Sequence, residues 1–154
     1  MRYIAVQQED FDIGDETRQL RFATNIGAIC TFSGLVREFQ QDEDGAAVDE
    51  LFLEHYPGMT EKALEDIVDE AFSRWQLVGC RVIHRIGALN PGEQIVFVGT
   101  ASEHRHNAFE SAQFIMDYLK TRAPFWKRQT GPRGSEWVEH RQSDDQAASR
   151  WKQK

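Results

Sequence analysis

The sequence predicts an α+β protein in which mixed or antiparallel sheets carry two main helices. Short runs rich in Val, Ile, Phe and Thr recur along the chain, several alternating apolar with polar residues. Two longer segments instead repeat apolar residues at helical spacing. The resulting order, βαββαββαββα with mixed spacings, does not fit the regular alternation of a doubly wound sheet.

The runs Arg2–Val6, Ile26–Val36, Val48–His55, Val78–Ile86 and Glu93–Ala101 read as strands. The polar, acidic stretch 40–47, with Gly45 inside it, reads as a loop within the domain and not as a linker. Across Met59–Trp75, Leu64, Ile67, Val68, Ala71, Phe72 and Trp75 share one helical face while Lys62, Asp66 and Asp69 fall opposite. Pro57-Gly58 marks the turn before this helix, and Thr60 is its expected N-cap. The second helix is expected over 105–121 and stops before Pro124, because a residue preceding proline is pushed out of helical geometry. Its main apolar face is Ala108, Phe109, Ala112, Ile115, Met116 and Leu119. Phe114 and Tyr118 point roughly the other way, so this helix is either a central core helix or partly covered by another subunit. Beyond Pro124, Phe125–Thr130 and Glu136–Glu139 form a hairpin across Gly131-Pro-Arg-Gly134, and 144–151 a terminal helix within the tail 144–154.

A chain of 154 residues fits one domain, 1–154, with a real core. Its 40% apolar content, with ten Phe and four Trp spread along it, excludes a disordered or fibrous class. The N-terminus turns acidic before it could supply the apolar run of a signal peptide, and no segment approaches ~18 uninterrupted apolar residues, so a cytoplasmic protein is expected. Cys30 and Cys80 each sit in a strand-like run and read as buried free thiols. The net charge of −7 is unevenly spread: residues 1–70 carry 17 Asp/Glu against 5 Lys/Arg, and residues 71–154 carry 8 against 13. The second half should therefore supply the charge for any bound anion, although composition alone fits a solvated cationic face as well. Nucleic-acid binding fits poorly, since the cations are few and the total is negative.

Lys120 falls one helical turn after Met116, at the edge of the main apolar face, so its stem can lie on apolar surface with the ammonium at a cavity rim. Lys127 follows beyond the proline corner. Two lysines held close in a partly dry site favour the neutral amine of one, which makes it usable as an acid or base near neutral pH. By spacing alone the pair reads at least as readily as two surface lysines, Lys120 pairing with Asp117. His104 and Arg105 open the long helix, where unpaired N–H groups and the helix dipole favour an oxyanion or phosphate, although taken alone they read more readily as a plain lead-in to the helix. Gly34 lets a ligand approach the backbone before Arg37, a fork for phosphate or carboxylate. Phe32 and Met116 are candidate pocket walls, although a core role is the default for Phe32. No Walker loop, Gly-x-Gly-x-x-Gly or Gly-x-Ser-x-Gly occurs, and no metal site or cofactor is expected. Arg105 and Lys120 lie fifteen residues apart on one helix, about 22 Å at ~1.5 Å per residue, too far for both to grip one small ligand. Either they serve different sites or two copies pair with these helices antiparallel.

Glu54-His-Tyr-Pro-Gly-Met-Thr60, Val82-Ile-His-Arg-Ile-Gly87, Pro91-Gly-Glu-Gln-Ile-Val-Phe-Val-Gly99, His104-Arg105 and the stretch through Phe125-Trp-Lys-Arg128 together resemble the large, catalytic subunit of molybdopterin synthase. The resemblance runs from the first strand to Trp151. It implies an α/β-hammerhead fold and a homodimer carrying a small ubiquitin-like sulfur-carrier subunit at each end, a heterotetramer. It also implies that the small subunit's C-terminal Gly-Gly thiocarboxylate donates sulfur to cyclic pyranopterin monophosphate, two transfers building the dithiolene of molybdopterin. On the matching positions, Lys120 and Lys127 are the expected catalytic pair. Leu35-Val36-Arg37, His104-Arg105, Lys120, Lys127 and Arg128-Gln129 are the expected substrate contacts, with Arg141 a further candidate. Leu35 stands where a lysine can occur in relatives, which leaves its backbone as the contact, and the loop 40–47 matches no family motif. A non-catalytic module that binds an anion or a partner's tail is the alternative.

Overall fold

The order β1-β4-β6-β2 builds the first of two four-stranded sheets, with β1 (Arg2–Gln7), β4 (Gly79–Arg85), β6 (Gln94–Ser102) and β2 (Ala28–Leu35). In this computed structural model, which describes residues 1–37, 50–131, 134–138 and 142–152, β1 runs parallel to β4 and the other pairings are antiparallel. Successive side chains of a strand point to opposite faces, so a strand buried on both sides reads as continuously apolar. On one face Cys80, Val82, Val96 and Val98 meet Leu64, Ile67, Val68 and Ala71 of α2 (Met59–Arg74) and Ala112, Ile115 and Leu119 of α3 (Arg105–Arg122). On the other, Ile83, Phe97 and Ala101 pack with Phe11 and with Leu20, the C-cap of the short helix α1 (Ile13–Gln19). Gly99 leaves room here for Leu20, whose Cδ1 would lie 2.5 Å from a Cβ at that position and would have to shift.

The second sheet, β5-β3-β7-β8, is antiparallel and joins β5 (Gly87–Leu89), β3 (Glu50–His55), β7 (Phe125–Gly131) and β8 (Gly134–Val138). Leu51, Leu53 and Leu89 close its inner face with Val36. The chain ends in α4 (Gln142–Ser149). The α+β class and its two long helices are as the sequence predicts. Among the described residues the one additional element is β5, whose three residues are too few to show a period. Gly87 at φ 88° turns the chain after β4, and Leu89 pairs with Leu51.

The second apolar side of α3 is covered by its own chain. Phe114 meets Trp75 with ring centroids 5.2 Å apart and Trp151 at 5.6 Å, and Tyr118 packs on Phe114 at 4.8 Å. The helix is thus a central core helix. Buried Asp117 accepts from Trp151 Nε1 at 2.7 Å and Gln113 Nε2 at 2.9 Å, and Arg150 lies 3.4 Å away. It anchors the C-terminal segment instead of pairing with Lys120. Phe109, expected on the apolar face, is 65% exposed: it lies one residue off the stripe Ala108, Ala112, Ile115, Leu119 that meets the sheet.

Thr60 is not the N-cap of α2. That position is Gly58, at φ 85°, and Thr60 lies fully buried in the first turn. Its Oγ1 accepts from the Tyr56 N–H at 2.9 Å and donates to the Pro124 carbonyl at 2.9 Å, tying the start of α2 to the corner between α3 and β7. Both cysteines are free; burial raises the Cys30 thiol pKa and pushes that of Cys80 up to about 12, so neither is a poised thiolate. Among the described residues no helix is long and apolar enough to cross a membrane.

Thr60→Val keeps the shape of the side chain and removes both hydrogen bonds. Denaturant unfolding should show a loss of about 1–3 kcal/mol, the range for leaving buried polar groups unsatisfied, with faster amide exchange at Tyr56. Unchanged stability would show that the Thr60 tie does not hold the corner.

Candidate active site

The antiparallel register of β3 and β7 sets Leu53 opposite Lys127, Glu54 opposite Trp126 and His55 opposite Phe125. Partners directly opposite share a face and faces alternate along each strand. Lys127 therefore lies on the same face as Leu51 and Leu53, each 1% exposed. Arg128 and Trp126 take the other face, where the Arg128 guanidinium lies 4.8 Å above the Phe52 ring. The adjacent cations Lys127 and Arg128 are thus divided between two sides of one strand.

The inner face of this sheet meets the helix-covered face of the first sheet at His84. This imidazole is buried and stacks on Phe125, with centroids 3.8 Å apart and planes 19° from parallel. Its Nδ1 is 2.8 Å from the Arg85 carbonyl oxygen. A carbonyl can only accept, so Nδ1 carries the proton and the lone pair of the neutral ring sits on Nε2. Burial pushes the His84 pKa down to about 3 against the help of that hydrogen bond, and the charges of Lys127, Lys120 and His55 push the same way. Those three groups, from β7, α3 and β3, are thus close enough for their charge to act on one neutral ring. The corner at Ala123-Pro124, pinned by Thr60, turns the chain from the exposed Lys120 on α3 back to Lys127 on β7.

The other expected site residues fall into distinct places. Gly34, Val96 and His84 form one row across the first sheet, so Leu35–Arg37 leaves it at the same end, roughly 10 Å away by two strand spacings. Leu35 and Arg37 are exposed, whereas Val36 is a core residue whose N–H donates to the Glu93 carbonyl and whose carbonyl accepts from Gly92. Met116 is buried one turn before Lys120, and Phe32 is 43% exposed on the edge strand β2. His104 and Arg105 are exposed at the far end of α3, where His104 is the N-cap. Within one chain they do not meet the lysine pair. Gln129 pairs with Leu51 through the backbone, and Arg141 lies outside the described residues. Arg122, given no role by sequence, sits 3.6 Å from Glu70 and over the Tyr118 ring.

Two residues without a sequence-assigned role join this arrangement. His84 and His55 both lie in the quoted motifs; the signal for His84 was a polar residue on the same strand face as Val82. His55 Nε2 lies 3.8 Å from Glu61 Oε1 and also lines an open cleft of about 580 Å³ with Glu54, Tyr56, Pro57 and Trp126. The lysine pair does not line that cleft. Among the described residues no group of three His, Cys, Asp or Glu is placed to hold a metal ion.

The family model described as MoaE protein matches residues 6–122. The chain belongs to the MoaE family. It is 57% identical over 148 residues to the molybdopterin synthase catalytic subunit of Escherichia coli (strain K12), covering 96% of this chain and 97% of that one. It is 54% identical over 151 residues to the molybdopterin synthase catalytic subunit of Pseudomonas aeruginosa, covering 97% and 99%. The solved structure of a molybdopterin biosynthesis MoaE protein from Burkholderia ambifaria MC40-6 superposes with a TM-score of 0.83 at 48% identity over 98% of both chains. The two-sheet, four-helix arrangement above is thus a MoaE architecture.

Since the folded-state pKa of His84 lies below the ordinary 6.5, unfolded chains take up a proton at this residue before folded ones do. The stability it contributes is fully present above about pH 6.5 and is lost as pH falls toward about 3. Imidazole 15N shifts should show His84 as the neutral Nδ1–H tautomer at pH 5, and His84→Phe should flatten the fall in stability between pH 7 and 5. A His84 ring that protonates near pH 6.5 would contradict the burial argument.

Proposed function

We propose that this chain is the catalytic subunit of a molybdopterin synthase, which moves sulfur from the C-terminal thiocarboxylate of a small ubiquitin-like subunit to cyclic pyranopterin monophosphate. The observation that supports the reading is a buried, neutral imidazole on which the charges of both Lys127 and Lys120 act, in a MoaE chain. Relatives named as catalytic subunits also imply an assembly with a further subunit. The thiocarboxylate sulfur is the nucleophile, so the chain need not supply one. Its task is to hold two anions and stabilise charge developing on oxygen and sulfur. Two nearby ammonium groups do this, and their repulsion favours the neutral form of one for proton transfer. Two transfers complete the dithiolene.

The distance of His104 and Arg105 from the lysine end favours a site shared between two copies. Arg37 leaves the first sheet near His84, but His104 and Arg105 lie about 22 Å from Lys120 along α3. A second copy with its α3 antiparallel brings its His104 and Arg105 to this lysine pair. Phe109 and Phe32, 65% and 43% exposed, offer apolar surface for such a pairing. Arg128, Gln129 and Arg141 are further substrate contacts in this proposal, Arg128 from the outer face of β7.

With thiocarboxylated partner and cyclic pterin, the protein should form molybdopterin, read by mass spectrometry; no product with an authenticated partner would end the proposal. Lys120→Ala, at an exposed position, should melt like the wild type and lose about a hundredfold or more in turnover, the lower range for a removed acid or base. Full activity would remove Lys120 from the chemistry. Tail binding without turnover by the wild type would favour a non-catalytic binding module. In mixed dimers, Lys120→Ala and Arg105→Ala subunits should restore one competent site per dimer. No gain over the single variants despite proven exchange would place each site within one chain.

A further inference from the structure

His84 occupies a position where the pattern of its strand calls for an apolar residue. Its row across the first sheet is Val6, His84, Val96 and Gly34, and both neighbouring strands present valine beside it. An imidazole buried there is unfavourable unless its nitrogens are used. One is: Nδ1 donates to the Arg85 carbonyl at 2.8 Å. The stack on Phe125 at 3.8 Å fixes the ring plane, and Phe125 lies opposite His55 and two residues before Lys127, on the same strand face. Held by an edge and a face, the ring cannot exchange its nitrogens, and Nε2 is left as an acceptor.

The titratable groups whose charge acts on this ring are Lys127 from β7, Lys120 from α3 and His55 from β3, of which His55 and Lys127 share the strand face of the stacked Phe125. From β1 and β6 it meets Val6 and Val96. The neighbouring Arg85 is committed elsewhere, to the carbonyls of Gln8 and Gln94. A charged His84 would add another cation to the cluster, whereas a neutral one offers a lone pair. An acceptor stabilises the protonated form of the amine that donates to it. It therefore makes two otherwise similar lysines unequal.

We propose that His84 is a positioning residue whose Nε2 accepts from the Lys127 ammonium in the working site, keeping Lys127 charged and leaving Lys120 as the amine that exchanges a proton. Lys127 is chosen because its backbone is fixed by the sheet two residues from Phe125, and it exerts the larger charge effect on His84, whereas Lys120 is exposed at the end of a helix. The assignment rests on the proposed sulfur transfer, but its central test does not use turnover.

Isotope-labelled lysine in the full chain, titrated by NMR without substrate, should show Lys127 losing its proton at higher pH than Lys120. The wild-type His84 Nε2 resonance should move toward that of a free lone pair in Lys127→Ala and stay in place in Lys120→Ala. This arm needs no substitution in the core. His84→Asn keeps a donor near the Nδ1 position and removes the Nε2 acceptor; it should lower the Lys127 midpoint by about one unit, a tenfold change in its charged-to-neutral ratio. His84→Gln, which returns an oxygen near Nε2, should recover much of the shift. In the assembled enzyme His84→Asn should lower kcat and leave KM for the cyclic pterin unchanged. An Nε2 resonance indifferent to Lys127→Ala, or Lys120 titrating above Lys127, overturns the proposal. If the titrations behave as expected and the wild type makes no molybdopterin, the sulfur-transfer reading fails and the placement of His84 stands.

Discussion

Sliding β7 by one residue against β3 would turn Lys127 outward and bring Trp126 or Arg128 to the inner face, because side chains alternate with a period of two. The candidate site depends on that register. Leu51 and Leu53 are almost fully buried, so β3 cannot rotate without exposing them. β7 is fixed at its start by the bond from Thr60 to the Pro124 carbonyl and by the stack of Phe125 on His84. These contacts join α2, α3, the first sheet and the second sheet within a few residues of the lysine pair. Lys127 is placed by a packed corner and a paired strand.

The same corner explains how an acidic protein presents positive charge there. Asp117, the acid one turn before Lys120, is occupied by Trp151, Gln113 and Arg150. Glu70 lies beside Arg74 and Arg122. Arg128 lies over Phe52 on the outer face. The four cations between residues 120 and 128 thus divide into a structural arginine, an outer arginine and a lysine pair. Net charge conceals this division, since each acid acts only over a short screened distance.

Sequence period located the long elements because α2 and α3 bury broad stripes, and β4 and β6 are apolar over many residues. It failed where tertiary contact decided the outcome. β5 is held by pairing with β3, Thr60 is drawn into a bond with a residue sixty-four positions away, and Phe109 falls just off the buried stripe. At the site, helix spacing separates Arg105 from Lys120 as α3 does, and the family motifs single out the two lysines as candidates. Spacing could not tell that Lys127 and Arg128 face opposite ways, which is a property of pairing with β3. His84 gives no such signal, since a histidine in an apolar strand reads as core until its contact with Phe125 is known.

The separation along α3 also bears on when the proposed chemistry begins. In a single chain Lys120 is exposed, and water weakens its repulsion from Lys127 several-fold relative to a dry site. His84 is already buried and neutral, so one half of the asymmetry is built into the fold. In the proposed assembly the other half comes when the partner's tail and a second copy exclude water from Lys120 and bring in His104 and Arg105. On this view assembly does more than add substrate contacts. Excluding water strengthens any repulsion between the two ammonium groups, so the proposed acid–base pair becomes competent when the donor of sulfur is in place.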